Sequence, residues 1–112
     1  MAPAPSAFLN GVPELLVLRL LRDREMYGYE LVQAIREASA DQLTFAEGVI
    51  YPLLHMLERD GALSTRRQTI NGRRRVYYSV TPTGRERFEA LSAHWRTLTG
   101  AIATVLEAPR HA

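Results

Sequence analysis

No cysteine occurs among the 112 residues, which excludes disulfides and thiolate metal sites and leaves the compartment unset by redox chemistry. Lysine is missing too: all 14 cationic side chains are arginine. Coding composition alone accounts for such a bias, although arginine does suit bidentate contacts to phosphate and guanine. The longest strongly apolar run, Leu15–Leu21, is interrupted by Arg19 and is too short to span a bilayer. The opening residues lack a charged stretch followed by an apolar one, so no secretory leader and no membrane partner are expected, and a cytoplasmic location is. His55, His94 and His111 have no metal-ligand spacing, so neither a metal nor another cofactor is expected. No nucleophile–base set and no glycine-rich phosphate loop is present, and the chain does not read as an enzyme.

The most informative absence is local. Residues 61–85 contain no carboxylate but hold Arg66, Arg67, Arg73, Arg74, Arg75 and Arg85. The formal net charge of +2 is therefore a +6 segment joined to a −4 remainder. Cationic charge gathered on one element is the footprint of a nucleic-acid contact. It flanks Asn71-Gly72, a dipeptide suited to a two-residue hairpin turn.

Around this hairpin the chain divides into helices. Leu15, Leu16, Leu18, Leu20 and Leu21 wrap a short helix over 12–23 that should be buried on more than one side, with Pro13 in its first turn. Asp23-Arg24-Glu25 reads as a polar break. A second helix is expected from Gly28 to about Ala38. Thr44-Phe45-Ala46-Glu47 fits a capping box for a third, with the Thr44 hydroxyl accepting the Glu47 amide. Val49, Ile50, Leu53, Leu54 and Leu57 form its apolar stripe, while Gly48, Tyr51, His55 and Glu58 fall on the other side. Pro52 should bend this helix, Gly48 should ease the crowding there, and Gly61 should end it. Strands over 62–69 and 73–80 follow, the second with Val76, Tyr78 and Val80 on a buried face and Arg75, Tyr77 and Ser79 on a wet one. Thr81-Pro82 then starts a fourth helix.

That last helix has a different pattern. Phe88, Leu91, Trp95, Leu98, Ile102 and Val105 recur at alternating intervals of three and four, which is a seam for packing along another helix. The seam is short and is weakened by Gly100 and several threonines. It is therefore expected to dimerise with help from the apolar first helix. The expected architecture is mainly α with a small β-hairpin: a winged helix-turn-helix plus a C-terminal dimerisation helix. Residues 1–8 are expected to form a flexible arm, 9–81 the DNA-binding domain, 82–107 the dimerisation helix and 108–112 a tail.

The segments Tyr27-Gly28-Tyr29-Glu30-Leu31, 47–58 (Glu-Gly-Val-Ile-Tyr-Pro-Leu-Leu-His-Met-Leu-Glu) and 72–81 (Gly-Arg-Arg-Arg-Val-Tyr-Tyr-Ser-Val-Thr) resemble the PadR family of transcriptional regulators, in order and spacing, from about Val12 to Trp95. Tyr27 stands where the family often has His. A single C-terminal helix is similar to the shorter members of that family. The resemblance implies a homodimeric repressor whose third helix enters double-stranded operator DNA and whose hairpin is the wing. It also implies that an aromatic matching Trp95 can line a site between protomers for a small hydrophobic or aromatic effector. Leu15 and Leu18 of the first helix, the expected packing partner of the last, are the further candidates for that site.

The residues expected to contact DNA are therefore Thr44, Gly48, Tyr51 and His55 on the helix and Arg66, Arg67, Arg73, Arg74 and Arg75 on the wing. Tyrosine can bond phosphate or pack on a thymine methyl, and at least one wing arginine should reach phosphate or the minor groove. Two other readings stay open: an architectural DNA binder without sequence preference, and a winged-helix ligand-binding module that does not bind DNA.

Overall fold

The computed structural model describes residues 11–110. The proposed N-terminal arm and His111 lie outside the described residues. The elements run α1 (Val12–Asp23), β1 (Met26–Tyr27), α2 (Gly28–Ala38), α3 (Glu47–Arg59), β2 (Leu63–Ile70), β3 (Arg73–Val80) and α4 (Pro82–Leu106). The fold is mainly helical with a three-stranded antiparallel sheet of order β1-β3-β2.

Val17, Leu18 and Leu21 of α1, Leu31 and Ile35 of α2 and Ile50, Leu54 and Leu57 of α3 meet in one core, closed by Met26, Leu63, Tyr78 and Phe88. Asn71 and Gly72 both have positive φ, 52° and 78°, the requirement of the tight hairpin turn that matches strand twist. The β2–β3 ladder runs in register from Leu63↔Val80 to Ile70↔Arg73. At the end of α3 the Gly61 amide donates to the Glu58 carbonyl (3.0 Å) and the Ala62 amide to that of Leu57 (2.8 Å), so a Schellman motif turns the chain into β2.

The structure corrects several expectations. The third helix has Ala46 at its N-cap, without a side-chain cap, so the Thr44–Glu47 capping box does not form. Phe45 is buried, and seating that ring in the core delays the helix start past Thr44. Val49, placed in the apolar stripe, is 47% exposed. Gly48 relieves no crowding, since a Cβ there would meet nothing within 4 Å. The break at 23–25 leads into β1, where Met26 pairs with Tyr78 and Tyr27 with Tyr77. Tyr27 of the neighbouring strand β1 packs against Tyr77 and Arg75, and Arg66 of β2 lies over Tyr77. This face is therefore not open: Arg75, Tyr77 and Ser79 are half-buried rather than wet.

The fourth helix starts as expected, with the Thr81 hydroxyl accepting the Gly84 amide (3.1 Å). Its first turns are locked to the domain. The Thr81 hydroxyl donates to the Gly61 carbonyl at 2.6 Å. Arg87 bonds Glu14 of α1 at 2.6 Å and Asp60, just past α3, at 3.3 Å. Arg22 lies over the Phe88 ring. Beyond Trp95, residues 96–110 are all exposed.

Candidate nucleic-acid interface

The outward side of α3 is built by subtraction. Ile50, Leu54 and Leu57 take the core, and helical geometry then turns Gly48, Pro52, His55 and Arg59 away from it, with Val49 at the margin. All five are exposed, as is Thr44 in the preceding loop. Tyr51 is different. It is half-buried, and its ring lies where a Cβ on Gly28 would fall, 2.5 Å from the nearest ring carbon. Burial is the main cause of the upward shift of its phenol pKa, with Glu47 and Tyr27 adding to it. Tyr51 therefore braces α3 against the start of α2, and its expected place on the open face is corrected to the edge of that face.

Strand alternation sorts the wing arginines. Tyr78 and Leu63 are buried toward the helices, and the register puts Thr65, Arg67, Thr69, Arg74 and Val76 on their side of the ladder. Thr65 confirms the orientation, donating to the Glu58 carboxylate of α3 at 2.9 Å. Arg67 and Arg74 continue outward along this side. The opposite side carries Arg66, Gln68, Arg73, Arg75 and Tyr77.

On that opposite side, two arginines are already engaged. Arg66 pairs with Glu25, its Nε 3.2 Å from both carboxylate oxygens, and it also lies 4.6 Å from the centre of the Tyr77 ring. Hydrogen bonding from Arg66 holds the Glu25 carboxyl below its ordinary pKa, and the same bond raises that of Arg66. Arg75 stacks on Tyr27 at 4.5 Å, and Tyr27 meets Tyr77 edge-on at 5.5 Å. A bond to Tyr77 is the main cause of the raised Arg75 pKa. These groups join the wing to β1. Among the described residues no ion pair engages Arg67, Arg73 or Arg74. Nothing in the spacing of Glu25 or Tyr27 marks them as wing partners, because they lie about 40 residues from Arg66.

The residues expected at a dimer seam separate into two groups. Phe88 is buried in its own domain and Leu91 and Trp95 are half-buried. Leu98, Ile102 and Val105 are 40%, 48% and 73% exposed. Phe88 is thus removed from the interprotomer set, because it fills the core beside Arg22. Leu18 is fully buried and cannot face an effector site, whereas Leu15 is half-buried. Trp95 sits near the start of α1, its ring nitrogen 3.9 Å from where a Cβ on Gly11 would lie.

A helix-turn-helix whose second helix presents an open side, beside a hairpin with unpaired arginines on the same side, is a winged helix-turn-helix domain of the DNA-binding kind. Residues 17–90 match the transcriptional regulator PadR-like family, and the chain belongs to it. It is 34% identical over 104 residues to Transcriptional regulator Rv3488 of Mycobacterium tuberculosis, covering 93% of this chain and 92% of that protein. Among solved structures, a Streptococcus transcriptional regulator is 35% identical with a TM-score of 0.75, covering 89% of this chain and 97% of that one. A PadR family transcriptional regulator from Eggerthella lenta is 27% identical with a TM-score of 0.80, covering 93% and 89%. The protein is a PadR-like transcriptional regulator, and no helix among the described residues is long and apolar enough to cross a membrane.

Proposed function

We propose that the protein is a homodimeric repressor that places two copies of α3 in successive major grooves of a pseudo-palindromic operator. The observation that carries the DNA-contact reading is the shared side of α3, Arg67 and Arg74, which puts exposed cations beside a helix narrow enough for the groove. Arg73 adds a third exposed cation at the wing tip. Thr44, Gly48 and His55 remain the expected helix contacts, and Tyr51 reaches DNA only from its half-buried edge position. Of Arg66 and Arg75, each contributes after giving up or sharing a partner within the domain.

Dimerisation is supported by the stretch of α4 beyond Trp95, where Leu98, Ile102 and Val105 are exposed apolar side chains among the described residues. An apolar groove lined by Leu16, Leu20, Ile35 and Ala38 between α1 and α2 offers the partner's helix a seat. Effector control is supported by the position of Trp95 between the docked and undocked halves of α4, beside α1. A small hydrophobic or aromatic molecule there would relieve repression only by favouring a dimer arrangement with the wrong separation of recognition helices.

Selection of bound fragments from the source genome, followed by competition against bulk DNA, tests the regulator reading. A palindromic site with at least about a thousandfold preference is expected. Binding without such a preference would make the protein an architectural binder instead. Replacing Arg67 and Arg74 with Gln should weaken operator binding and lower the log–log salt slope by about 0.9 for each phosphate no longer neutralised. An unchanged slope would remove both from the interface.

A further inference from the structure

The open side of α3 is unusually poor in hydrogen-bonding side chains over its first two turns. Ala46, Gly48, Val49 and Pro52 are all exposed, and none of their side chains can donate or accept a hydrogen bond. Glu47 is the one polar side chain among 46–50, and His55 and Arg59 come only toward the far end of the helix. Val49 is among the exposed large apolar residues, although helices of this kind normally turn such a residue to the core. The fold does not require it to be valine. Gly48 beside it has nothing within 4 Å of where a Cβ would lie, so α3 offers an uncovered backbone step next to two apolar side chains. The surroundings select the occupant of this patch. Glu47 is the carboxylate at its edge. Exposed Arg59 lies at the far end of the same helix, and Arg67 and Arg74 lie on the side of the wing that meets α3 through Thr65 and Glu58. The exposed charge of this side of the domain is thus mainly cationic, which favours a polyanion over an apolar protein surface. The one strongly apolar group that duplex DNA presents in its major groove is the C5-methyl of thymine.

We propose that Val49, with Pro52 beside it, determines operator specificity by packing against thymine methyl groups, and that Gly48 admits the DNA edge close to the helix backbone. This rests on the reading of α3 as the recognition helix. In each half-site the protein then prefers thymine at one or two positions because of the methyl group and not because of a hydrogen bond. His55 and Arg59 read or anchor the neighbouring positions by hydrogen bonding.

Uracil substitution isolates the methyl, because uracil keeps every hydrogen-bonding group of thymine. With the full chain and its selected operator, each thymine of a half-site is replaced by uracil in turn and the affinity measured. Removing one buried methyl group should weaken wild-type binding about fourfold at one or two positions. In Val49→Ala the uracil and thymine operators should bind alike at one of those positions. Val49 is exposed, so this variant should melt with the wild type. A wild type indifferent to uracil throughout the half-site would overturn the proposal, as would a uracil penalty that survives in both Val49→Ala and Pro52→Ala. Failure of the underlying reading looks different: no duplex would be preferred over bulk DNA, with thymine or without it.

Discussion

Ala40 has φ 52°, in the left-handed region where a Cβ crowds the following carbonyl. It is there because α2 ends as α3 does. The Ala40 amide donates to the Glu37 carbonyl at 3.1 Å and the Asp41 amide to that of Arg36 at 2.8 Å, which makes Ala40 the residue that usually is glycine in a Schellman ending. Ala40→Gly should therefore stabilise the domain by about 1 kcal/mol, the relieved strain less the entropy of a freer unfolded chain. Denaturant melts at constant m-value would show it, and a loss of stability would contradict the strain. Gly84 poses the opposite case. A Cβ there would lie 2.1 Å from the Ala62 carbonyl oxygen, and that oxygen is fixed by the Thr81 amide at 3.1 Å. Backbone cannot swing aside as a side-chain end can, so Gly84→Ala should cost about 3 kcal/mol. A melting temperature within a degree or two of wild type would show that α4 can lift off its seat.

Among the elements, the wing depends on its attachment to β1. Arg66–Glu25 and the Arg75–Tyr27–Tyr77 stack join strands whose remaining contact is a two-residue ladder. Glu25→Gln should free Arg66, loosen the base of the wing and raise the salt slope of DNA binding by up to about 0.9 if Arg66 then finds a phosphate. A slope and affinity both equal to wild type would show that the pair is idle. Because the Glu25 pKa lies below its ordinary value, the pair's contribution is complete above that ordinary value. It is lost only as the pH falls through the lowered one. The wing should accordingly keep this attachment across neutral and mildly acidic conditions, and a Glu25 side chain seen by NMR to titrate near neutrality would contradict it. The same elements show what a sequence can reveal. The hairpin was readable because Asn71-Gly72 demands one turn geometry, and α4 because Thr81-Pro82 marks its start. Strand β1 was not, since two residues have no period. The capping box at Thr44 failed because local hydrogen bonding competed with burial of Phe45, and burial is not visible in four residues. Tyr51 was misplaced for a related reason: its cover is Gly28, a residue with no side chain to announce a contact.

On the scale of the whole molecule, α4 is half core and half projection. At 25 residues it extends roughly 38 Å, and its docked part is tied to α1 and α3 through Arg87 and Phe88. This rigid joint means that whatever the free half binds also sets the orientation of α3 and the wing. If two chains pair there, their recognition helices are held at a fixed separation, which must be about 34 Å to meet half-sites one helical turn apart. Among the described residues Leu98 and Ile102 are exposed and stand outside the core, so Leu98→Glu with Ile102→Glu separates assembly from folding. The double variant should be monomeric by light scattering while circular dichroism keeps the helix and sheet signature. Its melting temperature should no longer rise with protein concentration, as that of a dimer does by mass action. Operator binding should then become weak and lose its dependence on half-site spacing, because each α3 would meet its groove alone. A double variant that stays dimeric would move the interface off the free half of α4. One that is monomeric yet still discriminates half-site spacing would show that DNA, rather than this helix, brings the two copies together.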